Sequence, residues 1–229
     1  MKKLDNRLQL VADMIDQNSV VADIGTDHAY LPVYLVKAGI IPSAIAADLR
    51  PGPLEHAKTT VEAARLQEKI LLRLSDGLDG FQPYEADCVV MAGMGGILIT
   101  QLIKRAEWLK DTTKTLVLQP MTDASLLRTF LAENGFAIVN ERATSDKKHC
   151  YTVIKAVYNG ECHTPSLMQA IVGGFVFPLG QEERRYLQKE QASLLKQING
   201  LTAAGKTNEA DAIASLYKEL DELMNGEIV

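Results

Sequence analysis

The most informative stretch of the sequence is Val20-Val-Ala-Asp-Ile-Gly-Thr-Asp-His-Ala-Tyr-Leu-Pro32. It joins a short β-branched strand to a helix through a compact acidic turn. Residues 20–24 predict the strand, and the residues from Ala29 onward predict the helix. Gly25 permits a positive φ or a close approach of the backbone. In open α/β proteins such a turn, at the end of a strand, is where a nucleotide-like cofactor binds.

The turn has too few glycines for a dinucleotide-binding fingerprint. In that motif the glycines leave a helix N-terminus open to a pyrophosphate, whereas Asp27 and His28 occupy those positions here. Asp23 and Asp27 would repel a pyrophosphate, but they suit a cofactor that is positively charged at its reactive end. S-adenosylmethionine, with its sulfonium and ammonium groups, is such a cofactor. We therefore predict S-adenosylmethionine as the cofactor.

Composition limits the class of protein. The chain of 229 residues is long enough for one well-buried domain and an appendage, and 47% hydrophobic with 23% charged residues is ordinary for a soluble protein. No apolar run approaches the ~20 residues of a membrane span, so we expect a cytoplasmic protein with no membrane partner. Cys88, Cys150 and Cys162 form no C-x-x-C pair. We predict no disulfide framework and no metal.

Apolar runs alternate with segments of helical periodicity, which predicts a parallel sheet with crossover helices. Strands are expected at residues 20–24, 44–48, 70–74, 88–92, 115–119, 136–141 and 151–157. Helices are expected at residues 31–38, 52–64, 97–104 and 125–134, the last ended by Gly135. No helix separates the last two strands, which is the antiparallel ending of the class I methyltransferase sheet. We predict an α/β, class I Rossmann-like methyltransferase fold with a seven-stranded, mostly parallel sheet.

The C-terminal part differs from the rest of the chain. From Gln181 two polar helical segments, separated by residues 199–205, predict an antiparallel hairpin. Each carries a narrow apolar seam; the seams consist of Leu187, Leu194 and Ile198, and of Ile213, Leu216, Leu220 and Leu223. We divide the chain into a methyltransferase domain (1–163) and a coiled-coil-like helical hairpin (164–229). A dimerisation or lid element and a clamp for a large substrate are equally good interpretations of the hairpin.

The residues that end the parallel strands should meet at one edge of the sheet. Asp23 and Gly25 follow the first strand. Asp48 ends the second, where an acid accepts hydrogen bonds from ribose hydroxyls or simply caps the next turn. After the third strand, Asp76 is placed to accept a hydrogen bond from an adenine amino group, and Gly77 lets the loop approach. We predict these five residues to be cofactor contacts.

The fourth strand ends in Met91-Ala-Gly-Met-Gly-Gly96, which lacks the Lys and Ser/Thr of a phosphate-binding P-loop. We expect Gly93 and Met94 to form the floor between cofactor and substrate. An Asn/Asp-Pro-Pro-aromatic motif, common in amino-methyltransferases, does not occur at this place. That favours an acceptor atom with an in-plane lone pair, such as a ring nitrogen.

Three segments in this order resemble the bacterial tRNA (adenine-N1)-methyltransferase family that acts on adenine 22: Asp23-Ile-Gly-Thr-Asp-His-Ala-Tyr-Leu-Pro32, Ala92-Gly-Met-Gly-Gly96 and Leu116-Val-Leu-Gln-Pro120. The resemblance covers essentially the whole chain. It implies S-adenosylmethionine as methyl donor and tRNA as acceptor. The chain departs from the family at Met121, where Asn is common, and at residues 146–152, where an acidic-glycine turn is common.

Methylation at N1 makes adenine cationic, so a carboxylate beside the base would stabilise the charge and accept a hydrogen bond from the 6-amino group. Asp27 is the first candidate for this catalytic contact. His28 and Tyr30 are candidate supports, through hydrogen bonding or stacking on the base. A structural hydrogen bond within the turn is an equal alternative for His28, and Tyr30 is expected to pack against the sheet edge rather than to stack.

Binding to tRNA must rely on local charge. The net charge of −5 argues against a generally basic nucleic-acid binder, but it permits a basic patch. The target adenine must leave its stack, while contacts to the tRNA backbone hold the rest of the molecule. The predicted tRNA-binding residues are Lys2, Lys3, Arg7, Gln119, Lys147 and Lys148. We expect a monomer or a weak homodimer.

Three other functions are compatible with parts of this pattern. A methyltransferase acting on a small molecule or protein would keep the cofactor contacts but leave the basic clusters and the hairpin without a role. A nicotinamide-dependent oxidoreductase is disfavoured by the missing third glycine. A catalytically silent RNA-binding module would bind tRNA without consuming the cofactor.

Overall fold

The computed structural model describes residues 3–146 and 149–226, and a seven-stranded sheet forms its centre. The strands are β1 (Val21–Ile24), β2 (Ala44–Asp48), β3 (Ile70–Leu74), β4 (Cys88–Gly95), β5 (Thr115–Thr122), β6 (Phe136–Asp146) and β7 (His149–Tyr158). The helices are α1 (Asn6–Asp13), α2 (Tyr30–Lys37), α3 (Pro51–Ala64), α4 (Gly96–Arg105), α5 (Ala124–Glu133), α6 (Leu167–Val172), α7 (Gln181–Ala203) and α8 (Thr207–Asn225). The fold class predicted from the sequence is thus confirmed.

The strand order is β3-β2-β1-β4-β5-β7-β6. Strands β1 to β5 pair in parallel, while β7 is antiparallel to both β5 and β6. The order reverses between β1 and β4, whose last paired residues are Ile24 and Met91. Ligands of open α/β sheets bind at such a switch point, beyond the carboxyl ends of the strands.

Alternate residues of the central strands enter two different cores. Val90 and Val117 pack with α1, α2 and α3 on one face of the sheet. Met91 and Leu118 pack with α4 and α5 on the other face. Burial of both faces explains why these strands are continuous apolar runs in the sequence.

Helix α1 was not among the predicted helices. Asp5 caps it, since its Oδ1 accepts a hydrogen bond from the backbone N–H of Leu8 at 2.7 Å. Leu10 and Val11 are buried against the sheet. The capping residue and the apolar spacing of this helix are visible in the sequence. The helix was not predicted because the basic residues of the segment were interpreted as a surface patch. The helix instead brings Arg7 towards the strand ends.

Helices α7 and α8 form the predicted antiparallel hairpin. Gln191 Nε2 donates to Asp221 Oδ1 at 2.8 Å, and Leu187 and Leu220 are fully buried. The break between the two helices begins later than the predicted residues 199–205, because α7 continues to Ala203 and α8 begins at Thr207. Gly200 therefore lies inside α7. An isolated glycine lowers the stability of a helix by about 1 kcal/mol, and the contacts with α8 offset this cost.

The root of the hairpin contains a buried ion pair. Arg128 Nη2 lies 2.7 Å from Glu141 Oε1, and the two side chains are 3% and 0% exposed. Glu141 also accepts hydrogen bonds from Thr152 Oγ1 at 2.6 Å and from the Gly174 N–H at 2.8 Å. Arg128 Nη1 donates to the carbonyl oxygen of Ala170 at 2.8 Å. The pair therefore links α5, β6, β7 and α6.

In the described part of the chain, no helix combines the length and apolarity needed to cross a bilayer.

Candidate active site at the ends of the parallel strands

A cavity of about 270 Å³ lies beyond the carboxyl ends of β1 and β4. Helix α1, the turn after β1 and the start of α2 form most of its wall. The residues that line it are Asp5, Arg7, Leu8, Asp23, Gly25, Thr26, Asp27, His28, Ala29, Tyr30, Leu31 and Ala92. The acidic turn after β1 therefore lines a cavity at the switch point of the sheet. A larger cavity, of about 590 Å³ between α5 and the hairpin, takes no residue from these strand ends.

The turn after β1 is compact. Gly25 has a φ of +76°, and its N–H donates to the carbonyl oxygen of Ala47 on β2 at 2.8 Å. A Cβ at Gly25 would collide with the side chain of Met94. Only glycine meets both conditions without strain. Met94 thus covers Gly25, and its role as a floor between cofactor and substrate stays a prediction.

Asp23 is the buried acid of the cavity. Only 7% of the residue is exposed. Burial raises the pKa of Asp23 to about 6, against the opposing effects of its hydrogen bond with Thr26 and of the Arg7 charge. A cationic ligand beside Asp23 would stabilise its ionised form. This wall of the cavity therefore suits the positively charged end of S-adenosylmethionine.

Arg7 and Gln119 form a bridge under the cavity. Arg7 Nη1 donates to Gln119 Oε1 at 2.8 Å, and the N–H of Gly93 donates to the same oxygen at 3.0 Å. Gln119 Nε2 donates to the carbonyl oxygen of Pro120 at 2.8 Å, and Gln119 is fully buried. These positions favour roles inside the cleft over the tRNA contacts predicted for Arg7 and Gln119.

Two of the three predicted catalytic residues, His28 and Tyr30, belong to a stack of three rings, and the third, Asp27, lies beside His28. Asp27 is 74% exposed at its side chain, and its Oδ2 lies 3.4 Å from His28 Nε2. The His28 ring is parallel to the Tyr30 ring, with centroids 4.9 Å apart and planes within 6°. On α3, His56 stacks on His28 at 4.8 Å and 9°. Tyr30 also packs against the core.

Asp27, His28 and His56 place their potential ligand atoms within 4.8 Å of one another. Two imidazoles and a carboxylate are a suitable donor set for Zn²⁺. Imidazole lone pairs lie in the ring planes, so the lone pairs of two stacked, parallel rings lie in separate parallel planes and do not converge on one point. This arrangement favours stacking over metal binding. That the protein needs no metal stays a prediction.

Asp48 occupies the end of β2 and is 7% exposed. Its Oδ1 accepts a hydrogen bond from the N–H of Arg50 at 2.8 Å, so it does cap the next turn. None of the described residues donates to its Oδ2. Leu49 follows Asp48 and is 61% exposed, and Leu74 is the last residue of β3 and is 62% exposed. Both side chains offer apolar surface to an aromatic ring. Neither leucine was among the predicted site residues, although Leu49 directly follows the strand-end acid Asp48 in the sequence.

Asp76 already has a partner in the structure. Arg105 on α4 donates to Asp76 Oδ1 at 3.1 Å and to Oδ2 at 3.3 Å. This hydrogen bonding holds the pKa of Asp76 below its usual value. Gly77 has a φ of +60°, and a Cβ there would collide with Leu102. An adenine amino group that reaches Asp76 must share the carboxylate with Arg105.

The predicted basic patch is partly described. Lys3 is exposed, whereas Lys2, Lys147 and Lys148 lie outside the described residues. Asn6 Nδ2 donates to the carbonyl oxygen of Ser145 at 2.8 Å. The start of α1 and the end of β6 are therefore neighbours.

The fold is that of a class I methyltransferase. It is defined by the order of the strands in the sheet, by the antiparallel pairing of the last strand and by the cavity at the strand ends. A family model described as a methyltransferase domain matches residues 4–154. The Bacillus subtilis tRNA (adenine(22)-N(1))-methyltransferase is 32% identical over 225 residues, which cover 98% of this chain and 89% of that protein. The chain belongs to the tRNA (adenine(22)-N1)-methyltransferase family.

Two solved structures support this assignment. The crystal structure of the B. subtilis M1A22 tRNA methyltransferase TrmK has a TM-score of 0.85 at 29% identity, covering 97% of this chain and 99% of that one. The structure of M. capricolum TrmK in complex with S-adenosyl-homocysteine has a TM-score of 0.81 at 27% identity, covering 96% and 99%.

Proposed function

We propose that this protein transfers a methyl group from S-adenosylmethionine to N1 of adenine 22 in tRNA. The observation that carries the proposal is the relationship to the B. subtilis enzyme, which spans 98% of this chain and includes the acidic turn at the cavity. The solved relative that contains S-adenosyl-homocysteine supports the same cofactor. A tRNA substrate agrees with the cytoplasmic location that we expect.

The fit of the cofactor rests on the strand ends. When bound, S-adenosylmethionine supplies an electrophilic methyl group on its sulfonium. Buried Asp23 would face its positively charged end, and Gly25 would allow close approach of the backbone. The Oδ2 atom of Asp48 would accept a hydrogen bond from a ribose hydroxyl.

The adenine of the cofactor would occupy the other end of the site. Leu49 and Leu74 would pack on its faces, and Asp76 with Gly77 would meet its edge. Gly93 and Met94 would separate the cofactor from the substrate, because Met94 lies directly over Gly25.

Catalysis would come mainly from alignment. Holding donor and acceptor in reactive geometry contributes ~7 to 11 kcal/mol to such reactions. Asp27 would accept a hydrogen bond from the 6-amino group and stabilise the positive charge that develops on the base. His28, whose ring lies between those of Tyr30 and His56, would meet the unstacked adenine through its ring edge, and Tyr30 would support the base by hydrogen bonding or stacking.

Binding of tRNA would depend on the basic segments and on the hairpin. Lys2, Lys3, Lys147 and Lys148 would contact phosphates, so affinity should fall as salt rises. We divide the chain into a catalytic part (1–163) and a helical hairpin (164–229). A polar cleft of about 250 Å³ separates the end of β5 from α7 and is lined by Met121, Tyr151 and Lys189 among others. This cleft favours a clamp over a dimerisation element, and we expect a monomer or a weak homodimer.

The proposal is tested by incubating the purified protein with S-adenosylmethionine and a tRNA transcript that carries adenine 22. Nucleoside mass spectrometry should detect N1-methyladenosine, and the product should disappear when adenine 22 is replaced by guanine. A methylated nucleoside that persists in the replaced transcript would assign the protein to another tRNA position. No methyl transfer to tRNA, with transfer to a small molecule or protein, would assign it to another acceptor.

A further inference from the structure

The ring stack at the active site ends in a residue that the catalytic proposal does not use. His56 lies on α3, outside the turn after β1, and is exposed. Its ring is parallel to that of His28, which in turn is parallel to Tyr30. His28 is therefore the middle ring, with half-buried Tyr30 at one end and exposed His56 at the other.

We propose that His56 binds the base of a nucleotide next to adenine 22, by stacking. This inference rests on the proposed function, because it needs tRNA as the substrate. Unpaired bases stack on exposed aromatic rings, and the loss of one such contact weakens binding by about fivefold or more. An imidazole at the open end of a ring stack provides such a surface.

The position of His56 favours a flanking base over the target base. His28 and Tyr30 line the cavity at the switch point, whereas His56 is not part of that lining. A target base inside the cavity would therefore meet the inner rings. The nucleotide beside it, which stays outside, would meet His56.

The surroundings of His56 favour a base over a phosphate. A carboxylate oxygen of Asp27 lies 3.4 Å from Nε2 of the adjoining His28 and within 4.8 Å of a ring nitrogen of His56, and exposed Glu55 precedes His56 on α3. Two carboxylates disfavour an anion at this place. The uncharged face of a base avoids this repulsion and uses the ring that is exposed.

The test is a double-mutant cycle between the protein and the RNA. The protein is either unchanged or carries His56→Ala, and the tRNA is either complete or has an abasic nucleotide at position 21 or at position 23. Affinity is measured by fluorescence anisotropy of end-labelled tRNA. We expect His56→Ala to weaken binding of complete tRNA about tenfold, and to have no further effect on the tRNA whose abasic position removes the stacking base. Additive losses at both positions would overturn the proposal.

Two variants separate stacking from a structural role. His56→Phe should restore the affinity, since it keeps a ring face, and Thr59→Ala, an exposed and uncharged neighbour on α3, should behave as the unchanged protein. The affinity for S-adenosylmethionine and kcat should not change in His56→Ala. A variant that loses kcat at unchanged tRNA affinity would show that His56 only braces His28, which contradicts base binding.

The cycle remains readable if the proposed function fails. Formation of N1-methyladenosine by the unchanged protein is scored separately, by mass spectrometry. Absence of that product with intact coupling between His56 and a flanking base would refute the reaction and keep the stacking contact. Presence of the product without coupling would keep the reaction and refute the contact.

Discussion

The root of the hairpin and the strand-end cleft both bury acidic residues, but they treat them differently. At the root, Glu141 is fully buried and faces the guanidinium of Arg128 together with two further hydrogen-bond donors. In the cleft, Asp23 is almost as deeply buried, and its pKa is raised to about 6. An acid supplied with internal partners stabilises the connection between elements, whereas an acid short of positive charge is suited to a cationic ligand.

This comparison predicts that changes at the root alter stability and that changes in the cleft alter function. Glu141→Ala should have the largest effect, because it leaves the Arg128 charge buried without its partner. We expect the free energy of unfolding to fall by about 3 to 5 kcal/mol. Urea unfolding followed by circular dichroism measures it. Glu107→Ala, which removes an exposed pair with Lys110, is the control and should change nothing measurable. Equal losses in both variants would break the comparison.

Asp27→Ala should have the next largest effect, and on turnover alone. Asp27 is exposed, so its loss should leave the unfolding transition unchanged. Removal of one electrostatic stabiliser of a transition state typically costs about 100-fold in kcat. Single-turnover methylation and isothermal titration calorimetry with S-adenosylmethionine separate turnover from cofactor affinity. Unchanged turnover in a folded Asp27→Ala protein would remove this residue from the mechanism.

The raised pKa of Asp23 predicts a pH dependence for both stability and cofactor binding. The pKa of Asp23 in the folded protein, about 6, lies above the usual value of 3.8. The contribution of Asp23 to stability is therefore complete below pH 3.8 and is lost as pH rises through 6. A cationic cofactor prefers the ionised form, so its affinity should fall below about pH 6.

Titration of S-adenosylmethionine between pH 5 and pH 8 checks this expectation. Asp23→Asn should bind the cofactor weakly with a flat pH profile, and at pH 7 it should raise the free energy of unfolding by roughly 1 to 3 kcal/mol, because it removes the buried charge. Cofactor affinity that keeps its pH dependence in Asp23→Asn would assign the titration to another group.

Arg105→Ala should have the smallest effect. Freed from this exposed partner, Asp76 would offer all of its oxygen atoms to the adenine amino group, so we expect S-adenosylmethionine to bind about twofold more tightly. Calorimetry measures the change. Lys104→Ala, an exposed neighbour of equal charge, is the control. Weaker binding in Arg105→Ala would mean that Arg105 itself supports the cofactor.

The sheet was predictable because its central strands are buried on both faces and remain apolar throughout. The C-terminal end of β6 was not predictable, because Arg142, Thr144 and Ser145 continue the pairing with β7 although they are not apolar. Backbone hydrogen bonds extend a two-stranded ladder regardless of the side chains that it carries. Patterns based on hydrophobicity therefore stop such strands too early.

The residues of the candidate site that belong to one turn were predictable from the sequence. The residues that reach the site only through tertiary contacts were not. Asp23, Asp27 and His28 belong to a single segment whose spacing has chemical meaning. His56 reaches the same place from α3, and nothing in its own neighbourhood indicates this. From the sequence Arg7 was grouped with Lys2 and Lys3, and its contact in space with Gln119 was not predicted.

The hydrogen bond between Arg7 and Gln119 also bears on how the molecule forms during synthesis. Its two ends are 112 residues apart in the chain, with the first four strands between them. Closing a loop of that length costs entropy that nearby contacts must first offset. We therefore expect α1 to leave the ribosome early and to dock late, so that the cleft becomes competent for its cofactor only after β5 has been made.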